Sequence, residues 1–383
     1  MKILVVAPWI PSVRRPRSLE ILRHLQDVHK VYFVGATWNE SEDAAFRSLP
    51  VTGKWSVRLG RSRAALRALR ALFFSSDSLQ QAFVSDPRLV RLVRSAVDQV
   101  RPDLLLFNVN RSVQLRDIAP EVPAIVDLDE YRSAYFRLLA ENSPNLLLRA
   151  VSSIEAKRIS RSEEHLPASF ARILVSSPVD LDKHPQVSLV RSTVDVGSEP
   201  IRRTTAARPN IVFSGRQSYR ANREAVTWFG EEVFPSVVSS LPDAHLSIVG
   251  ADPPRRVRSM AGDNVTVTGT VPEVRPYLEA ATIAVIPVRN ATGVQLKLLE
   301  AMAVGLPSVV SPVVARGAGI EDGVHCLVAD DADEWISAVI RLLTDVELRE
   351  RIMKESAAWL RKSHSTEVTR NALLQEVDAA LER

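Results

Sequence analysis

Residues 283–311 of the chain read IAVIPVRNATGVQLKLLEAMAVGLPSVVS. The stretch begins with an apolar run that ends at Pro287, and a polar loop containing Gly293 follows before an apolar helical pattern. A second apolar run occupies 308–311. Short continuous apolar runs are typical of parallel strands covered on both faces. The stretch therefore predicts a strand, a helix over about 293–304 and a second parallel strand.

The same alternation recurs along the whole chain. Further apolar runs predict strands at 2–7, 30–35, 104–107, 124–127, 211–215, 244–250 and 265–269. Helical patterns lie at 18–26, 222–238 and 335–343. Strands that alternate with helices in this way indicate an α/β protein built from doubly wound, Rossmann-like domains.

The chain has 383 residues, which suggests two domains at a typical size of about 150 residues each. Residues 199–210 contain two prolines and show no periodicity, so we place a linker at 201–209. We expect a first domain over 1–200 and a second over 210–365, facing each other across a cleft. A C-terminal helix over 366–383 is expected to pack back on the first domain.

Composition narrows the class of protein. Hydrophobic residues make up 46% of the chain, yet no apolar run reaches the ~20 residues that a membrane-spanning helix needs. A single cysteine, Cys326, excludes an intramolecular disulfide and a cysteine-rich zinc site. Residues 1–200 hold 28 Lys and Arg against 22 Asp and Glu, but the net charge of the whole chain is only +4. We therefore expect a cytoplasmic protein that does not bind nucleic acid.

The loop and helix after Pro287 carry the densest chemical signal. A helix start with a nearby glycine exposes backbone N–H groups and forms an anion site, and Lys297 can reach the same anion. Glu300, three residues further on, shares the face of Lys297 and can accept hydrogen bonds from ribose hydroxyls. The alternative interpretation is a surface ion pair between the two side chains.

Residues 292–307 resemble the nucleotide-sugar site of GT-B glycosyltransferases, especially glycosyltransferase family 4. The resemblance extends to 211–229, 241–250 and 265–271, and it is weaker over 1–200. It implies that a glutamate, here Glu300, holds the ribose, and that a lysine, here Lys297, holds the diphosphate together with the glycine-rich loop. The expected donor-binding residues are Gly215, Arg216, Gly269, Val271, Thr292, Gly293, Val294, Lys297 and Glu300.

In the family pattern Arg216 is the second diphosphate cation and the backbone after Gly269 contacts the nucleobase. Arg216 would otherwise be a solvated residue at a strand end. Thr292 stands where many family members have another glutamate, and a serine or threonine there is similar to a branch linked to exopolysaccharide assembly.

The first domain departs from the family pattern. The N-terminal glycine-rich loop is replaced by PSVRRPR at 11–17, which keeps only the arginine, Arg17, as an acceptor-side candidate. The histidine that many relatives carry is absent from the stretch after the strand at 124–127. Asp127 and Asp129 are therefore candidates to orient the acceptor hydroxyl or the donor sugar, unless they cap the following helix. The alternative interpretation of Arg17 is an ion pair with Glu20 on a helix surface.

No metal ion or cofactor is expected. The seven histidines show no metal-ligand spacing, and Asp127-Leu128-Asp129 is only superficially similar to a manganese motif. Arg216 and Lys297 are expected to supply the positive charge, so that together with the two aspartates they form the predicted catalytic set.

Residues 61–74 form a basic amphipathic helix in which Leu66, Leu69 and Phe73 share one face. We favour burial of this face in the core. The alternative is peripheral contact with the inner face of an anionic membrane.

The resemblance implies transfer of a sugar from a UDP- or GDP-sugar to a hydroxyl of a glycan, a lipid-linked intermediate or a small glycoside, with retention of configuration. Two alternatives remain. One is a nucleotide-binding, non-catalytic partner of another transferase, which the missing glycines and histidine favour. The other is a GT-B-fold epimerase, for which no acid and base pair stands out.

Overall fold

The computed structural model describes residues 1–196 and 208–382. The chain divides into two units, Met1–Thr193 with Glu367–Arg383, and Val194–Thr366. The first unit therefore ends at Thr193 rather than at 200. Most of the predicted linker at 201–209 lies outside the described residues.

The first unit contains a seven-stranded parallel sheet in the order β3-β2-β1-β4-β5-β6-β7. Its strands are β1 Lys2–Ala7, β2 Lys30–Thr37, β3 Gly53–Arg58, β4 Leu104–Asn108, β5 Ala124–Asp129, β6 Arg172–Val175 and β7 Val187–Leu189. The four predicted strands are present. The outer strands β3, β6 and β7 were not predicted; polar residues interrupt both β3 and the three-residue β7.

Helices of this unit connect the strands. They are α1 Pro16–Gln26, α2 Glu40–Arg47, α3 Arg61–Phe74, α4 Leu79–Val84, α5 Pro87–Val100, α6 Arg132–Asn142, α7 Leu146–Glu164 and α8 Leu166–Ser169, with 3-10 turns at Asn110–Ile118 and Pro178–Lys183.

The second unit has a six-stranded parallel sheet in the order β10-β9-β8-β11-β12-β13. Its strands are β8 Asn210–Ser214, β9 His245–Val249, β10 Val265–Gly269, β11 Ile283–Ile286, β12 Ser308–Val310 and β13 Leu327–Val328. Its helices are α9 Arg220–Trp228, α10 Phe234–Ser240, α11 Arg255–Arg258, α12 Arg275–Ala280, α13 Leu296–Ala303, α14 Pro312–Ala318, α15 Ala332–Thr344 and α16 Val346–His364, with a π turn at Phe229–Val233 between α9 and α10.

Helix α13 begins at Leu296, three residues later than predicted. Gly293 has a φ of +69°, in the left-handed region, and therefore cannot belong to the helix. Lys297 consequently lies in the first turn of α13.

Strand β1 shows how the cores form. Ile3 and Val5 are buried with Leu22 of α1 on one face of the sheet, whereas Leu4 and Val6 are buried on the other. Side chains alternate between the faces of a strand, so a continuous apolar run is needed when helices cover both faces. The two doubly wound α/β domains expected from the sequence are confirmed.

The last helix, α17 Thr366–Leu381, packs on the first unit. Its Leu373, Val377 and Ala380 are fully buried in the core cluster that contains Ile3.

Candidate functional site

The second sheet has a topological switch point between β8 and β11. From β8 the chain adds β9 and β10 on one side and then returns to add β11, β12 and β13 on the other. Loops that leave the carboxyl ends of two such strands diverge and open a crevice, which is where ligands bind in doubly wound sheets. Here the loops are the one that starts at Gly215 and the one that contains Gly293.

Lys297 reaches from α13 to the end of β8. Its Nζ donates a hydrogen bond to Asn222 Oδ1 over 2.5 Å and lies 4.5 Å from the centroid of the Phe213 ring. Asn222 is buried, and its Nδ2 donates to the carbonyl of Arg216 over 2.9 Å. The ammonium is therefore held beside the backbone of residues 215 and 216.

Burial lowers the pKa of Lys297 to about 7, although the charge of Glu300 opposes this shift. Burial also raises the pKa of Glu300, and Lys297 lowers it. A cation held in partly desolvated surroundings favours an anionic ligand strongly. The alternative of a simple surface ion pair does not describe Lys297, whose hydrogen bond goes to Asn222.

Two glycines let the backbone pack tightly at this place. A Cβ on Gly215, where φ is +140°, would lie 2.9 Å from Lys297 Nζ and 2.7 Å from Asn222 Nδ2. A Cβ on Gly250, where φ is +145°, would lie only 2.1 Å from the carbonyl oxygen of Gly215. Both positions therefore require glycine.

Arg216 extends from the same turn into solvent. Its side chain is 57% exposed, and its Nε lies 3.6 Å from Asp252 Oδ2, which is equally exposed. A pair with such exposure is weak, so the guanidinium stays available to a ligand.

The remaining predicted donor residues lie at the same edge of the sheet. Gly293 lies in the loop before α13 and close to Gly317. A Cβ on Gly317 would lie 2.4 Å from the carbonyl oxygen of Gly293. Val294 and Val271 are partly buried and pack against the core. Gly269 ends the edge strand β10 with a φ of +70°, and Thr292 is half-buried.

Arg17 and Asp127 of the first unit form a buried ion pair. The Arg17 Nε and Nη2 donate to Asp127 Oδ1 over 3.0 and 2.6 Å, and Nη1 donates to the Val190 carbonyl. Burial alone lowers the pKa of Arg17, but the charges of Asp127 and Asp129 outweigh it and the pKa is raised. Arg17 is thus not paired with Glu20, and direct ligand contact by Arg17 or Asp127 does not fit their burial.

Asp129 keeps the position expected of a ligand-facing carboxylate. Its side chain is 47% exposed, lies 3.4 Å from Arg17 Nε, and follows the end of β5 with a φ of +67°. Helix α6 has no side-chain cap, so neither aspartate acts as its N-cap.

Helix α3 contradicts the expectation that its leucines are buried. Leu66, Leu69 and Phe73 are 57%, 55% and 70% exposed, whereas Ala64 and Ala71 are buried. The helix packs through its small residues, because alanines allow close approach, and its bulky apolar face is left in solvent.

Sequence reasoning missed several residues. Asn222 was part of a family motif, but its contact with Lys297 follows only from the folded structure. Trp9 and Arg111, at the ends of β1 and β4, gave no signal because neither belongs to a periodic pattern. Within 1–196 and 208–382, no three His, Cys, Asp or Glu side chains group as a metal site would require. Over the same residues, no helix is both long and apolar enough to cross a bilayer.

Comparison with known proteins identifies a matching family model and a similar protein. Residues 208–345 match the model of the family Glycosyl transferases group 1. An uncharacterized 44.6 kDa protein in the cps region of Klebsiella pneumoniae is 19% identical over 253 residues, and the match spans 63% of this chain but only 65% of that relative's length.

Solved structures agree on the fold. Anabaena Alr3699/HepE in complex with UDP superposes with a TM-score of 0.66 at 12% identity, over 99% of this chain and all of that one. A glycosyltransferase from Rickettsia africae superposes with a TM-score of 0.69 at 10% identity, over 100% of this chain and 99% of that one. The chain therefore has the GT-B fold, and its residues 208–345 match the model of the glycosyl transferases group 1 family.

Proposed function

We propose that this protein transfers a sugar from a nucleotide-diphosphate donor to an acceptor hydroxyl, with residues 208–345 binding the donor. The observation that carries the proposal is the Lys297 ammonium, held beside Gly215 and Asn222 at the switch point of the second sheet. A partly desolvated cation next to a glycine turn suits a diphosphate, whose oxygens need both charge and close backbone approach.

The roles of the cationic residues in sugar transfer follow from the place where negative charge develops during the reaction. As the bond between the sugar and the diphosphate breaks, negative charge grows on the departing phosphate. Lys297 and the backbone near Gly293 are held in place before the reaction, and together with Arg216 they stabilise that charge more in the transition state than in the ground state. No metal ion is needed in this scheme. The acceptor attacks with retention of configuration, and the leaving phosphate takes its proton.

The donor is a UDP- or GDP-sugar. Anabaena HepE was solved in complex with UDP, which supports a nucleoside diphosphate here. Glu300 accepts hydrogen bonds from the ribose hydroxyls, and the backbone from Gly269 to Val271 contacts the base. The acceptor binds to the first unit, where Asp129 is the exposed carboxylate at the end of β5.

The acceptor is a glycan, a lipid-linked intermediate or a small glycoside of polysaccharide assembly. The cps-region relative supports this class. We place the reaction in the cytoplasm.

Thermal-shift titration with UDP, GDP, ADP and TDP, followed by turnover assays with the corresponding sugars, tests the proposal. We expect one diphosphate to stabilise the protein and its sugar to be hydrolysed or transferred. Stabilisation without turnover on any donor would favour the non-catalytic partner, and no stabilisation by any nucleotide would contradict donor binding.

We further propose that α3 contacts an anionic membrane. Its exposed Leu66, Leu69 and Phe73 lie on a helix that contains four arginines and no acidic residue, which matches lipid tails and anionic headgroups. Co-sedimentation with vesicles of phosphatidylcholine and phosphatidylglycerol should decrease in a L69S/F73S variant. Equal sedimentation with pure phosphatidylcholine would contradict the charge argument.

A further inference from the structure

A second cavity lies at the switch point of the first sheet. The chain builds outward from β1 to β2 and β3, then returns to place β4 and β5 on the other side. Residues after β1, β4 and β5 enclose a volume of about 220 Å³, and we call this space the arginine cavity. Its walls include Trp9, Gln80, Asn110, Arg111, Asp129 and Arg132.

Arg111 is a cation that forms no ion pair with a carboxylate of the described residues. Among these residues its only hydrogen bond runs from Nε to Gln80 Oε1, over 2.8 Å. Burial, followed by the charges of Arg132 and Arg15, lowers its pKa to about 10, while Glu155 opposes the shift. Glu155 is itself occupied by the backbone N–H groups of Leu79 and Gln80.

Unlike Arg111, the neighbouring arginines of this region form ion pairs with carboxylates. Arg15 binds Glu42 over 3.0 Å, and Arg132 binds Glu130. The remaining carboxylate of the cavity wall, Asp129, is 3.4 Å from Arg17. Each carboxylate at this place therefore lies beside an arginine other than Arg111, and Asp129 shares Arg17 with Asp127.

Two further donors lack acceptors within the described part of the chain. Gln80 Nε2 and Asn110 Nδ2 are buried there without a hydrogen-bond partner. Asn110 is only 8% exposed, and its Oδ1 already accepts from Gln81. A buried donor without an acceptor costs free energy, so two such donors beside the Arg111 guanidinium indicate a ligand rich in oxygen acceptors.

Two residues of the cavity wall have a left-handed backbone conformation. Val109 has a φ of +59°, which is rare for a β-branched residue, and Asp129 has a φ of +67°. Such strain is retained mainly where a functional site requires it.

We propose that the arginine cavity binds an oxyanion, a carboxylate or phosphate, carried by the sugar that accepts the transfer. That the bound sugar is the acceptor rests on the proposed function. That the site binds an oxyanion rests on the cavity alone. The volume is below the roughly 300–1,000 Å³ of pockets that enclose drug-sized ligands, so it suits one sugar unit rather than an oligosaccharide. Arg111 provides the charge, and Gln80 and Asn110 provide amide donors.

Ligand-observed NMR titrations of the full chain test this. The probes are methyl β-D-glucuronide, glucose 6-phosphate, the neutral methyl β-D-glucoside and inorganic phosphate. We expect at least one acidic sugar to bind roughly tenfold more tightly than both the glucoside and inorganic phosphate, and R111Q to remove that preference. The exposed Arg94 provides a matched control, because R94Q should keep it.

Several outcomes would overturn the inference. They are equal binding of the neutral and acidic sugars, equal binding of inorganic phosphate, or the same loss in R94Q as in R111Q. If R111Q does not fold, R111K keeps the charge but loses the Gln80 contact, and a weakened preference is expected. UDP binding is measured on the same samples. Its absence would contradict the proposed function, whereas normal UDP binding without an acid-sugar preference would contradict this inference alone.

Discussion

Lys297 donates to Asn222 Oδ1 over 2.5 Å, and the same asparagine donates from Nδ2 to the carbonyl of Arg216 over 2.9 Å. One buried side chain thus ties the lysine of α13 to the turn after β8. The Lys297 ammonium and the backbone of Arg216 are therefore held by a common residue, which explains how elements distant in sequence can form one anion site.

Replacing Lys297 should separate diphosphate binding from nucleoside binding. We expect K297M to weaken UDP binding by roughly 10- to 100-fold, because it removes a charge-assisted hydrogen bond, and to leave uridine binding nearly unchanged. Isothermal titration calorimetry measures both. The control K354M removes an exposed lysine of the same unit and should bind UDP normally. Equal losses for UDP and uridine would contradict the diphosphate role.

UDP affinity should depend on pH through the same lysine. Its pKa is about 7 without ligand, and a bound diphosphate favours the charged form, so binding raises the pKa. Below about pH 7 the proton is already present. Above it, binding must take up a proton, so affinity falls as pH rises, by at most about tenfold per unit.

Calorimetry at about pH 8 in two buffers of different ionisation enthalpy detects that proton. K297M should abolish the uptake. A UDP affinity that is constant above neutrality, with no proton uptake, would show that Lys297 does not titrate on binding.

Glu300 should distinguish ribose from its deoxy analogues. We expect E300Q to weaken UDP by roughly tenfold, because the carboxylate accepts hydrogen bonds from the ribose hydroxyls, and to leave 2′,3′-dideoxy-UDP almost unaffected. Competition binding against UDP measures both. The exposed Glu347 serves as control through E347Q, and identical losses for the two nucleotides would remove the ribose assignment.

Gly250 should tolerate no side chain. G250A places a Cβ 2.1 Å from the Gly215 carbonyl oxygen at a φ of +145°, so we expect it to lower the free energy of unfolding by roughly 1–3 kcal/mol or more. Gly262 has open space around it, and G262A should change stability little. Urea denaturation compares the two. Similar stabilities would mean that the turn rearranges at low cost.

Asp127 should act through stability rather than through ligand contact. D127N leaves the Arg17 charge buried with less compensation, which typically costs about 3–5 kcal/mol. D129N, at a half-exposed carboxylate, should cost about 1 kcal/mol or less. Urea denaturation measures both, and an unchanged stability in D127N combined with lost activity would restore a direct role for Asp127.

The sequence predicted the central strands well because those runs are apolar on both faces. The outer strands β3, β6, β7 and β13 were missed: polar residues interrupt β3 and β7, and β13 has only two residues. The start of α13 was placed too early, since the left-handed backbone of Gly293 cannot be read from a hydrophobic period. The apolar face of α3 was wrongly assigned to the core, because periodicity identifies an apolar face but does not show what covers it.

The order of apolar runs, glycines and charged residues determined by itself that two doubly wound units form and that Lys297, Glu300 and Arg216 follow strand ends. Only the tertiary structure decided which of these groups meet, because contacts such as Lys297 with Asn222 and Arg17 with Asp127 join residues 75 and 110 positions apart. Local pattern reports burial and secondary structure, whereas the desolvation and pairing that set the charge of a side chain depend on packing between distant segments.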